Sequence, residues 1–373
     1  MIRTMLVDDE EPARDRLRDM LSGFDDVDVV GEARDGEDAL TQIAGQRPDL
    51  IFLDIQMPGL SGMEVAASLS PPRPRIIFCT AFDQYAIDAF EHHATDYLLK
   101  PVSRKRLAKA LDRVRMAMSE QVNRLREVAD ATRTQERLLP QSPPPVEGLD
   151  YSGVCRAAHG VGGDYYDFLL IGENRLGIAL ADVSGKGLFA GLLVASLQAR
   201  IQSIAPLHGD SLGALVAEAN RLTHSSTDSN RYATFFYGLY DGRTRNLNYV
   251  NAGHNPPLLF RPDSQRPGGG SIQPLAANGT VIGMLPEAIY EQESVQLETG
   301  DVLLMFTDGV TESLNPDGEE FGESRLVDAI RCHARLPARE MQDAVLDEVT
   351  RFVAAAPRHD DLTLVVAKAV QAR

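Results

Sequence analysis

Over the first hundred residues, short and fully apolar runs alternate with amphipathic stretches. Met5–Val7, Val27–Val30, Leu50–Leu53, Ile76–Cys79 and Tyr97–Leu99 read as strands. Leu17, Met20 and Leu21, then Ala39, Leu40 and Ile43, fall on single helical faces. Strands that are apolar on both sides, separated by helices, predict a doubly wound, five-stranded parallel sheet covered on both faces. Four of the runs end in polar residues: Asp8-Asp9, Asp54, Thr80 and Lys100. Parallel strands carry their C-terminal ends to one edge, which is where open sheets of this kind bind ligands.

From Ser103 the period becomes helical. Leu107, Leu111, Val114 and Met118 keep a 4-3-4 spacing, and Val122, Leu125, Val128 and Ala129 continue it loosely. A helix running to Leu138 is about 54 Å long at 1.5 Å per residue. It is too polar to stand alone, so a coiled coil with a second copy is expected, with a solvated spacer helix as the plainer reading. Pro140 and Pro143-Pro144-Pro145 end it.

The remainder reads differently. Leu176–Asp182, Ala233–Tyr240, Leu247–Val250, Val302–Thr307 and Leu362–Ala367 predict strands, several in hairpin-like pairs. Leu188–Ile204, Ser211–His224, Glu323–Ala334 and Ala338–Val353 predict helices, and Pro262–Ser271 a loop. This is the pattern of an antiparallel α+β domain. The expected division is residues 1–120, a helical linker over 103–145, and 146–373.

Composition narrows the function. A chain of 373 residues with 43% hydrophobic content has enough apolar material for two or three cores. No run approaches the ~18 apolar residues of a membrane span. The acidic start MIRTMLVDDE does not resemble an export signal, and three scattered cysteines match no zinc or disulfide framework. A cytoplasmic protein is expected. The net charge of −17 disfavours nucleic acid and anionic membranes as partners. Residues 103–137 carry ten Lys/Arg against five Asp/Glu, a basic segment between two acidic blocks.

Single polar residues at strand ends usually cap helices or make turns. Three carboxylates at one sheet edge repel one another and call for a divalent cation, while a lysine and a hydroxyl suit phosphate oxygens. The last block repeats this with Gly162-Gly163-Asp164, Asp182, Thr307-Asp308-Gly309 and His359-Asp360-Asp361, all beside strands. Clustered carboxylates suit a pair of hard cations that clamp a phosphoryl group for attack by water.

The segments LVDDEEPAR, LDIQMPGLSG, FCTAFDQYA and DYLLKP resemble the receiver domain of bacterial response regulators, with the branch that carries LytTR outputs most similar. The resemblance covers about residues 1–120 and implies a flavodoxin-like fold. It implies Asp54 as phosphoacceptor from a histidine kinase, and Mg²⁺ on Asp8, Asp9, Asp54 and the Gln56 carbonyl. Thr80 and Lys100 would contact the phosphate, with Tyr97 as the switch aromatic.

From Gln135 to Lys368, the segments QERLLPQSPP, VGGDYYD, ADVSGKG, YATFFYGLYD, YVNAGHNPPLL, FTDGVTES and DDLTLVV resemble the SpoIIE/RsbU-type branch of the type 2C (PPM) protein phosphatases. That implies an antiparallel β-sandwich flanked by helices. It implies two Mn²⁺ or Mg²⁺ ions on Asp164, Asp182, the Val183 carbonyl, Asp308 and Asp360. Asp361 and Lys186 are secondary candidates. No residue matches the family's eukaryotic phosphate-binding arginine or histidine acid. His159 and His254 read as turn residues, and Tyr165-Tyr166 as packing.

Together these resemblances imply a response regulator whose phosphorylation controls a serine/threonine phosphatase output. The expected substrate is a phosphorylated STAS-type anti-anti-sigma factor, and a homodimer through the linker helix is expected. The alternative is an adaptor that binds its partner without turnover.

Overall fold

The computed structural model describes residues 1–81, 94–158, 160–228, 230–263, 265–266 and 268–371. The expected motif stretch over 82–93 and His159 lie outside the described residues. The chain divides into two compact units, Met1–Leu125 and Arg126–Arg373.

In the first unit, the strands are β1 (Ile2–Val7), β2 (Val27–Ala33), β3 (Leu50–Leu53), β4 (Arg75–Thr80) and β5 (Asp96–Leu99). They form one parallel sheet in the order β2-β1-β3-β4-β5. Helices α1 (Glu11–Leu21), α2 (Gly36–Gln46) and α3 (Gly62–Ser68) intervene. Alternation along each apolar run splits the core in two. Met5, Val7, Ile51, Leu53 and Phe78 pack with Ala39, Ile43 and Val65 of α2 and α3. Leu6, Phe52, Ile77 and Leu98 face the other way, onto Leu17 and Leu21 of α1. Both faces are therefore dry, which is why these strands show no polar alternation. Each fully buried Phe or Leu contributes roughly 2 kcal/mol of hydrophobic stabilisation. Local signals agree: Asp35 caps α2, and Ser61 and Glu64 form a capping box on α3.

Helix α4 (Arg104–Leu138) is continuous, as the periodicity predicts. Leu107, Leu111 and Val114 are buried on the first unit's sheet, whereas Val122, Leu125 and Val128 are exposed. Its early turns are fastened by ions. Asp96, buried at the start of β5, accepts hydrogen bonds from Arg106 (2.7 and 2.9 Å) and Arg113 (2.9 Å). Arg115 pairs with Asp26 at 2.6 Å.

The second unit contains β6 (Leu149–Arg156), β7 (Asp164–Leu170), β8 (Arg175–Val183), α5 (Leu188–His208), α6 (Leu212–His224), β9 (Ala233–Asp241) and β10 (Asn246–Ala252). Then come β11 (Leu258–Pro262), β12 (Gly270–Pro274), β13 (Glu293–Gln296), β14 (Val302–Phe306), α7 (Asp308–Thr311), α8 (Gly322–His333), α9 (Ala338–Val353) and β15 (Leu362–Ala369). Two antiparallel sheets form, β13-β10-β9-β8-β7 and β12-β11-β14-β15-β6. Phe168, Ile178, Phe236, Leu303, Met305 and Val365 fill the space between them. Helices α5 and α6 cover the outer face of the first sheet, and α8 and α9 that of the second. This is a helix–sheet–sheet–helix sandwich.

Several elements depart from expectation. Strands β6 and β7 mix polar and apolar residues, and β12 and β13 are short and largely exposed, so no apolar run marks them. β11 and β12 take the two ends of the stretch expected to be a loop. The expectation that no segment has the length and apolarity of a membrane span is also corrected. Helix α5 meets both measures, with a mean hydropathy of 1.4 over the best window. Half of that window is buried, and Ala190, Leu193, Val194 and Leu197 pack in the domain core, so it reads as a core helix.

Candidate active sites

The first site lies at the C-terminal edge of the parallel sheet. Val7 pairs with Leu53, and Thr80 with Leu99, so the residues that follow β1, β3 and β5 gather beside the end of β4. Oxygens of Asp8, Asp9 and Asp54 all lie within 4.8 Å of one another. Lys100 Nζ donates to Asp54 Oδ2 at 2.6 Å and to Asp8 Oδ2 at 2.7 Å. The Gln56 backbone N–H donates to Asp54 Oδ1 at 3.3 Å. Burial pushes the Asp54 carboxyl above its ordinary range, and Lys100 pulls against that shift. Thr80 is fully buried, and its hydroxyl has no hydrogen-bond partner among the described residues. Three hard oxygen donors fit a divalent cation, and an orphaned hydroxyl beside a lysine fits a phosphoryl oxygen. Tyr97 lies on β5 beside these groups, with its ring buried in the core under α2 and α3.

The second site lies at one end of the sandwich. Asp164 and Asp182 are register partners on β7 and β8, on the face that turns toward the other sheet. Asp308 opens α7 directly after β14, and Asp360 precedes β15. The two sheets therefore bring residues nearly 200 positions apart to one rim. Gly309 allows this approach, because a Cβ there would sit 1.8 Å from the Asp361 carbonyl oxygen.

Desolvation pushes Asp182 up to about 7, and the charges of Asp308, Asp360 and Asp361 add to the shift. Asp308 is raised by burial and by Asp360. Asp164 is buried, and desolvation and the Asp182 charge raise it well above the ordinary range, although the hydroxyls of Thr307 and Thr363 both donate to its Oδ2 at 2.7 Å. Neither threonine was singled out from sequence. The available signal was their place beside the acids, in Thr307-Asp308 and Asp361-Leu362-Thr363. The Val183 carbonyl oxygen packs against Gly163, 2.9 Å from where a Cβ would stand.

The adjacent aspartates point to different partners. Asp361 accepts backbone N–H bonds from Ala158 (2.7 Å) and Gly163 (2.6 Å), so it pins the loop that leads into Asp164. Asp360 faces Lys186, whose Nζ lies 3.0 Å from its carboxylate and 2.7 Å from the His359 carbonyl. No three of these carboxylates come as close together as the receiver trio does. The donor set is nonetheless all oxygen, four carboxylates and the Val183 carbonyl, and it fits hard divalent cations. His254 is buried, with its Nδ1 2.8 Å from the Thr234 hydroxyl, and burial holds its imidazole down at about 4.

Gln135 on α4 makes a two-point contact with Gly162. Its Nε2 donates to the carbonyl at 2.7 Å, and its Oε1 accepts from the N–H at 2.8 Å. The linker thus touches the backbone two residues from Asp164.

Residues 4–112 match the family model for the response regulator receiver domain, and residues 172–370 match that for stage II sporulation protein E. The transcriptional regulatory protein BtsR of Salmonella typhi is 52% identical over 122 residues, 32% of this chain and 51% of that protein. BtsR of Escherichia coli K12 is 49% identical over the same length. The chain thus spans about half the length of the curated relatives it matches. Among solved structures, the SiaA-PP2C domain of Pseudomonas aeruginosa has a TM-score of 0.59 at 22% identity, covering 67% of this chain and 98% of that one. The RsbU and RsbW domains of a Mycobacterium tuberculosis protein give 0.54 at 24% identity, covering 63% and 64%. At these identities the likeness establishes the fold of the second unit. With the sporulation-protein model matching more than half of its residues, the chain belongs to the SpoIIE family and carries a response-regulator receiver domain ahead of the matched segment.

Proposed function

We propose that this protein is a cytoplasmic response regulator that dephosphorylates phosphoserine or phosphothreonine on a protein, under control of Asp54 phosphorylation by a cognate histidine kinase. The observation that carries the reading is the acid rim of the sandwich, where Asp182 is pushed up to about 7 by burial and by three neighbouring carboxylates. Such crowding is costly for a fold that gains nothing from it.

In this reading Asp164, Asp182, Asp308, Asp360 and the Val183 carbonyl hold two Mn²⁺ or Mg²⁺ ions, and Asp8, Asp9, Asp54 and the Gln56 carbonyl hold Mg²⁺. The bound cations supply Lewis acidity toward phosphoryl oxygens and water. The protein's own groups do the rest. Thr307 and Thr363 fix the Asp164 carboxylate, and Asp361 fixes the loop ahead of it. Lys186 orients Asp360 and stands at the rim as a cation for the substrate phosphate. In the receiver, the Asp54 carboxylate takes the phosphoryl group, and Lys100 and the Thr80 hydroxyl meet its oxygens.

Helix α4 is the proposed relay, since its first turns are held by Asp96 and its last turns by Gly162. The exposed Val122, Leu125 and Val128 support a homodimer through this helix. The proposed substrate is a STAS-type anti-anti-sigma factor.

Hydrolysis of p-nitrophenyl phosphate with Mn²⁺, wild type beside Asp182→Asn, tests the phosphatase. Repeating it with beryllofluoride on Asp54 tests the relay. Activity that Asp182→Asn retains would sink the first claim, and equal rates with and without beryllofluoride the second.

A further inference from the structure

We propose that Arg231, with Phe189, Leu188 and Leu192, forms a docking ridge for the polypeptide flanking the phosphorylated residue, selecting an acidic side chain beside an apolar one. The inference rests on the phosphatase reading above and adds a substrate preference to it.

The ridge adjoins the acid rim by direct contacts. Strands β8 and β9 run side by side, with Asp182 opposite Thr234 and Val183 opposite Ala233. The pairing continues past their ends. The Ser184 N–H donates to the Tyr232 carbonyl at 2.9 Å, and the Tyr232 N–H donates to Ser184 Oγ at 3.0 Å. Arg231 therefore stands opposite Gly185, which lies in sequence between the rim acid Asp182 and the rim lysine Lys186. Gly185 has φ +100°, which favours glycine, and the Arg231 guanidinium lies over it, with Nη1 2.5 Å from where a Cβ would stand.

The guanidinium stacks on the Phe189 ring, 4.5 Å from its centroid. It has no carboxylate within ion-pair distance among the described residues, although the chain carries 54 acidic groups and five of them lie in the neighbouring site. Next to it, Leu188 and Leu192 stand one helical turn apart and are 61% and 64% exposed. The other side of the same helix is deep in the core. An unpaired arginine, fixed by an aromatic ring and flanked by two exposed leucines at the mouth of an anionic site, complements a peptide with an acid and an apolar residue.

The test uses the full chain with Mn²⁺ and beryllofluoride, and two phosphothreonine peptides identical except for Glu or Lys at the flanking positions. p-Nitrophenyl phosphate serves as the reference ester. Wild type is expected to favour the Glu peptide by about tenfold in kcat/KM, through KM, the size of one exposed charge-assisted contact. R231E is expected to reverse that order, and R231A to level it. A merely structural arginine would change both peptides alike.

If R231E does not fold, R231K keeps the preference and R231A still levels it. A Glu preference that survives R231A or R231E overturns the proposal. If wild type hydrolyses neither peptides nor ester, the phosphatase reading fails and this one with it. Substituting Leu188 and Leu192 by Asp is expected to raise KM for a peptide with a leucine flank. A lower mass in solution with unchanged KM would instead give the leucines to a contact between copies, and overturn their part in docking.

Discussion

In the receiver, Lys100 lies between Asp8 and Asp54 at 2.7 and 2.6 Å, and its side chain is 18% exposed. In the phosphatase domain, Lys186 reaches Asp360 at 3.0 Å, and its side chain is 60% exposed. Both sites gather carboxylates at strand ends, but only the first contains its own buried counter-charge. The receiver trio lies within 4.8 Å, with Lys100 bridging two of its three carboxylates. The phosphatase acids stay further apart, and burial together with their repulsion raises Asp182. Internal compensation lowers the cost of gathering the acids. Its absence makes a site that depends on cations to neutralise it.

The largest expected effect is at the uncompensated site. Asp182→Asn should lower phosphate-ester hydrolysis by on the order of 10³-fold or more, while Asp54→Asn leaves the unstimulated rate far less changed. Comparable losses in both would mean that the two sites are not separable. Next in size is the removal of the internal counter-charge. Lys100→Ala leaves two buried carboxylates facing each other and should destabilise the receiver by about 3 kcal/mol in denaturant unfolding, with Mg²⁺ restoring part of it. Lys186→Ala, at the exposed rim, should cost about 1 kcal/mol or less. Equal costs would break the comparison.

The two sites should also differ in pH dependence. Asp182 carries a proton below about 7, and a cation must displace it. Cation affinity of the phosphatase site should therefore fall as pH drops below 7, by about tenfold or more per pH unit. Asp54 is raised by burial but held back by Lys100, so Mg²⁺ binding to the receiver should vary less over that interval. Calorimetric cation titrations of Asp54→Asn and Asp182→Asn proteins separate the two contributions. The smallest effect concerns Asp164, whose compensation comes from neutral hydroxyls. Thr363→Val removes one of two donors and should cost about 1 kcal/mol in thermal unfolding. No loss would mean that Thr307 suffices.

The receiver was the more legible half. Its strands are buried on both faces, so each appears as an unbroken apolar run, and a parallel sheet must place the ends of those runs at one edge. The phosphatase strands that form the sheet edges were harder. In β6, Leu149, Tyr151 and Cys155 face the core while polar neighbours face away, and β13 is nearly all exposed. The stripe 107-111-114 on α4 was visible because helical periodicity survives polar surroundings.

From sequence alone came the two architectures, the linker helix and the acids at strand ends, because periodicity and strand-terminal polarity are local properties of the chain. Only the tertiary structure decided how those acids are used. Asp360 and Asp361 are neighbours, yet one faces Lys186 and the other binds the backbone of Ala158 and Gly163. The hydroxyls that fix Asp164 come from positions 143 and 199 residues away. Arg231 meets Gly185 only because β8 and β9 pair. Charge compensation depends on distance and burial, and both are set by how the strands come together rather than by order along the chain.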